Sequence, residues 1–221
     1  MPDPIVLQPL DQDLTFCADE IPLLTAQIIL PHWENQKNGR FNRYYRACSD
    51  SFQRLCRQEL FPQAKAAYCR ATEEAAPIPQ WQAQLTTTVT LQREQLVSIR
   101  TDTQVVGMPR HYTARRGDTW DLRCGLLLSI ADCFPPHTHW RKRLLDLTTQ
   151  QIEEQIARQL TRYHENWHRQ LHRAFHPHHF YLTEYGLCLF FPPESIAPST
   201  AEIPTFCLPY DPQNGPFIPN I

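Results

Sequence analysis

Glycine is scarce, at 6 of 221 residues. Phosphate-cradling loops and dinucleotide-binding turns need clustered glycines, so that nucleotide chemistry is excluded. No apolar run reaches the roughly 18–20 residues that a membrane-crossing helix requires. Met1-Pro2-Asp3-Pro4 lacks the basic region and apolar stretch of a signal peptide. That sets the expectation of a cytoplasmic chain with no membrane segment. Basic excess is missing too: the net charge is −2 and the pI about 6.5, so nucleic acid is not an expected partner. The 8 cysteines show no paired metal-ligand spacing. Cys48 and Cys56 fall in a helical stripe, and Cys188 and Cys207 in strand-like runs, where free cysteine acts as a small buried hydrophobe. Reduced thiols are the favoured reading, with disulfide pairing as the alternative.

What is present is core material. Hydrophobic residues make up 42% and aromatics 11%, enough to exclude a disordered chain. The 20 prolines punctuate rather than repeat, marking turns and element ends. Leu23 to Leu30 reads as a strand ending at Pro31, and Glu34 to Gly39 as a turn. Phe41, Tyr45, Cys48, Phe52, Leu55 and Cys56 then alternate steps of three and four, the signature of an amphipathic helix. Pro62 predicts a kink or restart, with the helix resuming through Ala64, Ala67 and Tyr68. Leu85, Thr87, Val89 and Leu91 share one face of a strand that returns through Leu96 to Thr103 as a hairpin. His111 to Leu122 predicts another strand. A second stripe runs from Leu144 through Ile152, Leu160, Tyr163, Trp167 and Leu171 to Phe175, and predicts one long helix, or two nearly collinear ones, ending before Pro177. Phe180–Thr183 with Leu187–Phe191 predicts a second hairpin, and Phe206–Tyr210 a last strand.

The expected fold class is therefore α+β: antiparallel sheet with two long helices packed on one face. The expected organisation is a strand-helix-hairpin half, residues 1–104, and a second half, residues 105–221.

Two stretches carry a family resemblance. Phe180-Tyr-Leu-Thr-Glu-Tyr-Gly-Leu, followed by Phe191, Ile196-Ala197-Pro198, Ile203-Pro204 and Leu208-Pro209-Tyr210, resembles the C-terminal domain of RsiV-like proteins. Asp118-Thr119-Trp120-Asp121-Leu122 with Gly125, Leu128, Asp132 and Phe134 is similar to the segment before it. The first half, with Tyr44-Tyr45 opening its helix, resembles the companion N-terminal domain. That family occurs in the extracytoplasmic sensor of an anti-sigma factor that recognises lysozyme, and beside PdaC-type polysaccharide deacetylase domains. The resemblance implies a non-catalytic recognition module whose partner is a lysozyme-like protein or a cell-wall glycan, and it implies an extracytoplasmic setting. Where the family carries a Gly-Gly-Ala-His-Gly loop, this chain reads Val106-Gly107-Met108-Pro109-Arg110-His111.

One constellation suggests chemistry. His164-Glu165-Asn166-Trp167-His168 matches H-E-x-x-H, which on a helix sets two imidazoles on one face for zinc and a glutamate to activate water. His172 continues the step of four, so His164, His168 and His172 are the candidate metal ligands of an alternative zinc hydrolase. The favoured reading places them at a core boundary, since each follows a stripe residue by about 100°. His176, His178 and His179 fit a helix exit, where cations are favoured. Asp118, Asp121 and Asp132 read as turn and capping residues. Trp33, Trp81, Trp120, Trp140 and Trp167 read as core, with a sugar-binding face as the alternative. A third functional reading is a cytosolic interaction protein that keeps the fold without the ligand.

Overall fold

The computed structural model describes residues 6–34, 39–107, 111–198, 202–213 and 215–220. Most of the expected turn at Glu34–Gly39, and Met108-Pro109-Arg110 of the loop contrasted with the family's, lie outside the described residues. The elements are β1 (Leu7–Ala18), β2 (Ile21–Trp33), α1 (Gly39–Leu55), a π-helical segment (Cys56–Leu60), α2 (Phe61–Glu73), β3 (Trp81–Arg93), β4 (Leu96–Val106), β5 (His111–Asp121) and β6 (Leu126–Leu127). A 3₁₀ turn (Ile130–Cys133), α3 (Trp140–Ala157), α4 (Trp167–Ala174), β7 (Phe180–Leu182), β8 (Gly186–Phe190) and β9 (Thr205–Pro209) follow. One sheet has the order β1-β2-β3-β4-β5-β6 and the other β7-β8-β9. Two compact units result: residues 1–87 with 101–113, and residues 88–100 with 114–221.

In the first unit, Asp19 and Glu20 both hold positive φ (50° and 67°), which turns β1 tightly back into β2. Leu10, Gln12 and Leu14 pair with Leu30, Ile28 and Ala26. Beyond that, β2 runs parallel to β3, with Leu24, Ala26 and Ile28 beside Trp81, Ala83 and Leu85. This corrects the expectation of wholly antiparallel sheet. The helical block between β2 and β3 is long enough for the crossover that parallel strands require. Leu24, Ala26, Ile28, Trp81, Ala83 and Leu85 are all buried, and α1 and α2 pack on β2, with Phe41, Tyr45 and Phe52 buried on α1 and Ala64 and Ala67 on α2. Each fully buried large side chain contributes about 1.5–3 kcal/mol. Asn42 ties the first turn of α1 to the end of β2: its Oδ1 accepts from Trp33 N–H at 2.9 Å, and its Nδ2 donates to Trp33 O at 2.8 Å.

The expected disturbance at Pro62 takes the form of the π-helical segment just before it. Phe61 N–H reaches back five residues to Cys56 O, and Pro62 sits in the first turn of α2, where its missing N–H is tolerated.

In the first unit the helical block packs on β2 and in the second α3 packs against β9, so the expected two long helices on one face are not matched. The single long helix is also corrected. After Ala157 the chain closes a Schellman cap: Gln159 takes φ 54°, Gln159 N–H donates to Ile156 O at 3.0 Å, and Leu160 N–H donates to Gln155 O at 2.9 Å. Helix resumes only at Trp167. The core gathers Leu144, Ile152, Trp167, Leu171, Phe180, Leu189 and Phe206. At its margin, buried Ser98 joins three strands. Its Oγ accepts from Leu182 N–H at 2.8 Å and shares a 2.9 Å hydrogen bond with Thr119 Oγ1. Gly117 of β5 lies so near β7 that a Cβ there would stand 1.7 Å from Phe180 O.

Candidate functional site

The histidines do not form the expected column. His164 precedes α4 rather than lying in it. Its backbone N–H donates to Ile196 O at 3.1 Å, and its Nε2 lies 3.1 Å from Glu194 O. A carbonyl only accepts, so Nε2 carries the proton there and is occupied. His168 stacks on Trp167, with ring centroids 3.5 Å apart. His172 lines an open depression with His139, Trp140, Arg141, Lys142 and Leu145, where two cations oppose a metal ion. The H-E-x-x-H geometry requires one continuous helix, and the Schellman cap with its following loop removes it. Among the described residues, no group of three or more His, Cys, Asp or Glu side chains is arranged to hold a metal.

His176, His178 and His179 do cluster. Ring centroids lie 4.8 Å apart for His176–His179 and 5.4 Å for His176–His178, and His178 N–H donates to His176 Nδ1 at 3.3 Å. His179 stacks on Phe190 at 5.1 Å. Burial, then the neighbouring His176 and His178, push its pKa below the ordinary 6.5.

The aspartates divide by role. Asp132 completes a capping box, its Oδ2 accepting from Ser129 N–H at 2.7 Å and Ser129 Oγ at 2.8 Å. Asp121 accepts from Arg123 N–H at 2.9 Å and pairs with its guanidinium at 3.1 Å. Burial raises this carboxyl, but the Arg123 hydrogen bonds prevail and hold it below the ordinary range. Asp118 is no turn residue: it is buried within β5, 3.1 Å from Arg116 Nε. Trp33, Trp81, Trp120 and Trp167 are buried and Trp140 is half-buried, so the tryptophans build core rather than a sugar platform. All 8 cysteines are free thiols. Cys207, expected on an apolar face, is exposed.

The concave surface with binding character lies in the first unit and depends on β1, which the sequence reading missed. Since α1 packs on β2, a groove of about 180 Å³ is left alongside it above β1. Its apolar walls are Leu10, Ile28, Leu30, Pro31 and Tyr45, and Gln12, His32, Arg46 and Ser49 supply polar groups. Leu10 stands 57% exposed at the mouth. Among the described residues, β1 pairs with β2 alone and forms one edge of its sheet. The Glu34 N–H to Val6 O bond sets the phase of that ladder. Gln8, Leu10 and Gln12 therefore bond toward β2, and Leu7, Asp11 and Asp13 turn their backbone groups outward. Alternating polar residues gave β1 too little apolar signal to be found.

Residues 131–211 match a family described as a protein of unknown function (DUF3298). The stretch from Phe180 to Tyr210, on which the RsiV-like resemblance partly rests, lies inside that match. The chain is similar in fold to the crystal structure of a DUF3298 family protein from Pseudomonas aeruginosa PAO1. Their identity is 21%, the coverage 98% of this chain and 96% of that one, and the TM-score 0.63. It is also similar to a DUF3298 family member from Bacteroides fragilis, at 15% identity, 93% and 90% coverage and a TM-score of 0.65. No curated protein matches the chain.

Proposed function

We propose that this chain is a non-catalytic recognition module for a protein ligand, taken as an extended segment along β1 and the groove above it. The observation that carries the reading is the conjunction of an apolar-walled groove with a sheet edge whose outward backbone groups have no strand partner among the described residues. Strand addition draws affinity from such backbone groups and specificity from pockets for alternate side chains. Asp11 and Asp13 discourage the same edge from pairing with copies of itself by like-charge repulsion. The resemblance to RsiV-like sensors, which include a recogniser of lysozyme, supports a protein of that class as the first ligand to test, with wall glycan as the competing class.

The test is binding of lysozyme and of muropeptides to the immobilised full chain, beside Leu10→Asp and Arg46→Glu variants. The expected result is saturable lysozyme binding that each variant weakens about tenfold, the effect of losing roughly 1.4 kcal/mol at an interface anchor. Muropeptide binding in place of lysozyme replaces the ligand class. Binding of neither, or equal binding by all three chains, defeats the proposal.

A further inference from the structure

Cys188 of β8 and Cys207 of β9 are direct cross-strand partners. The hydrogen bond from Phe191 N–H to Pro204 O, 2.9 Å, marks the next register pair but two as a bonded rung. Bonded and non-bonded rungs alternate in antiparallel sheet, so Leu189/Phe206 and Leu187/Leu208 are bonded and Cys188/Cys207 is not. At a non-bonded rung the Cα atoms stand about 4.5 Å apart with both side chains on one face, within the separation that a disulfide accepts. Both thiols are free, and as cross-strand partners on a non-bonded rung they share one face. Leu187, Leu189, Phe206 and Leu208 face the main core, whereas Cys188 lies on the opposite side with Tyr181 and Phe190.

The pair is asymmetric. Cys207 is exposed, while Cys188 is buried beneath the Tyr181–Phe190–Ile203 cluster. The neighbouring Cys188 thiol draws the Cys207 thiol below its ordinary range, with Thr183 Oγ1, 3.9 Å away, acting in the same direction. That same contact, then burial, push Cys188 up. The exposed thiol is therefore the more acidic of the two and within reach of a reagent from solvent, and the buried one holds its proton more tightly beside it.

We propose that Cys188 and Cys207 form a thiol–disulfide exchange site that takes low-molecular-weight disulfides, with Cys207 as the attacking thiol and Cys188 as the resolving one. The Cys207 thiolate attacks one sulfur of the small disulfide, the S–S bond breaks, and the first small thiolate leaves with the electron pair. A mixed disulfide remains on Cys207. Cys188 then attacks the Cys207 sulfur, its proton passes to the departing second small thiolate, and the cross-strand disulfide forms. The two protein thiols lose two electrons, the small disulfide gains them, and two small thiols are released. Both cysteines keep their register, so the sheet serves in either state.

The test uses the reduced full chain at pH 7 with oxidised glutathione, read by intact mass and peptide mapping. The expected result is a Cys188–Cys207 link with no lasting glutathione on the protein, and a Cys188→Ser variant that retains glutathione on Cys207. Alkylation supplies a readout that needs no variant. With its thiol lowered, Cys207 carries more thiolate at pH 7 than an ordinary cysteine, and because intrinsic nucleophilicity falls less steeply than the thiolate fraction rises, it is expected to be alkylated faster than a short single-cysteine peptide. Glutathione persisting on Cys207 of the unaltered chain, a link to a different cysteine, or alkylation of Cys207 no faster than the peptide would each overturn the proposal.

Discussion

Buried Ser98 joins β4 to β5 and β7. Its hydroxyl is fully buried and satisfies Leu182 N–H, 84 residues away, as well as the Thr119 hydroxyl. Ser98→Ala removes one small oxygen and strands a backbone donor and a hydroxyl, both within residues that are 1% exposed or less. A buried donor or acceptor left unmade costs about 1–3 kcal/mol, so the expected loss is about 2–4 kcal/mol. For a chain of this length, 1 kcal/mol moves the thermal midpoint by about 2–4 °C, which places the drop near 10 °C. Circular dichroism melts at equal concentration measure it. Thr119→Val serves as the companion, because it spares the Leu182 bond and should cost less. The double variant should fall short of the sum. Hydrogen exchange at Leu182 should lose protection in Ser98→Ala and keep it in Thr119→Val. A Ser98→Ala melt within about 2 °C of the unaltered chain, a shift of under roughly 1 kcal/mol, would refute the reasoning.

Gly117→Ala places a methyl 1.7 Å from Phe180 O, a clash with backbone that cannot swing aside; a loss of about 3 kcal/mol or more is expected in the same melts. Gly39→Ala, with nothing within 4 Å, is its control and should melt within about 2 °C of the unaltered chain. His179 has a folded pKa below 6.5, so folding favours its neutral form: the contribution is complete above pH 6.5 and is lost as pH falls through the depressed value. The thermal midpoint should therefore decline from pH 7 toward pH 5, and His179→Phe, which keeps the stack on Phe190, should decline less.

The sequence was most informative where one face of an element is buried and the other is not. The stripe from Phe41 to Cys56 located α1 because α1 covers β2 on one side only. The hairpin turn at Glu94–Gln95 was legible from its turn residues, and the β7–β8 pair, buried throughout, from two short apolar runs around Glu184-Tyr185-Gly186. β1 was hidden because most of its residues are exposed and leave no apolar alternation. The break after α3 was hidden because a glutamine, not a glycine, occupies the left-handed cap position, and Leu160 and Tyr163 fall at helical spacing by coincidence. Leu160 is in fact 67% exposed. The parallel β2–β3 pair needed knowledge of which strands meet across a helical block, and spacing along the chain does not carry that. The binding groove inherits the first omission, since Leu10 and Gln12 of β1 close one side of it. Both cysteines of the exchange site were placed in strands from sequence, but their register across β8 and β9 was not.

The π-helical segment of the first helical block explains an oddity in that stripe. From Phe52 the buried positions run Cys56, Leu60 and Ala64, three consecutive steps of four. In a regular α-helix each such step over-rotates by about 40°, and three would carry Ala64 away from the sheet. A π turn holds roughly 4.4 residues, so the surplus rotation is cancelled and the alanines of α2 stay against β2. The block thus houses one residue more than its length demands, in a stretch where Arg57, Gln58 and Glu59 all face water. A lineage can add a residue to such a helix without turning its inner face, and Pro62 just beyond keeps the extra residue from being smoothed back into regular winding.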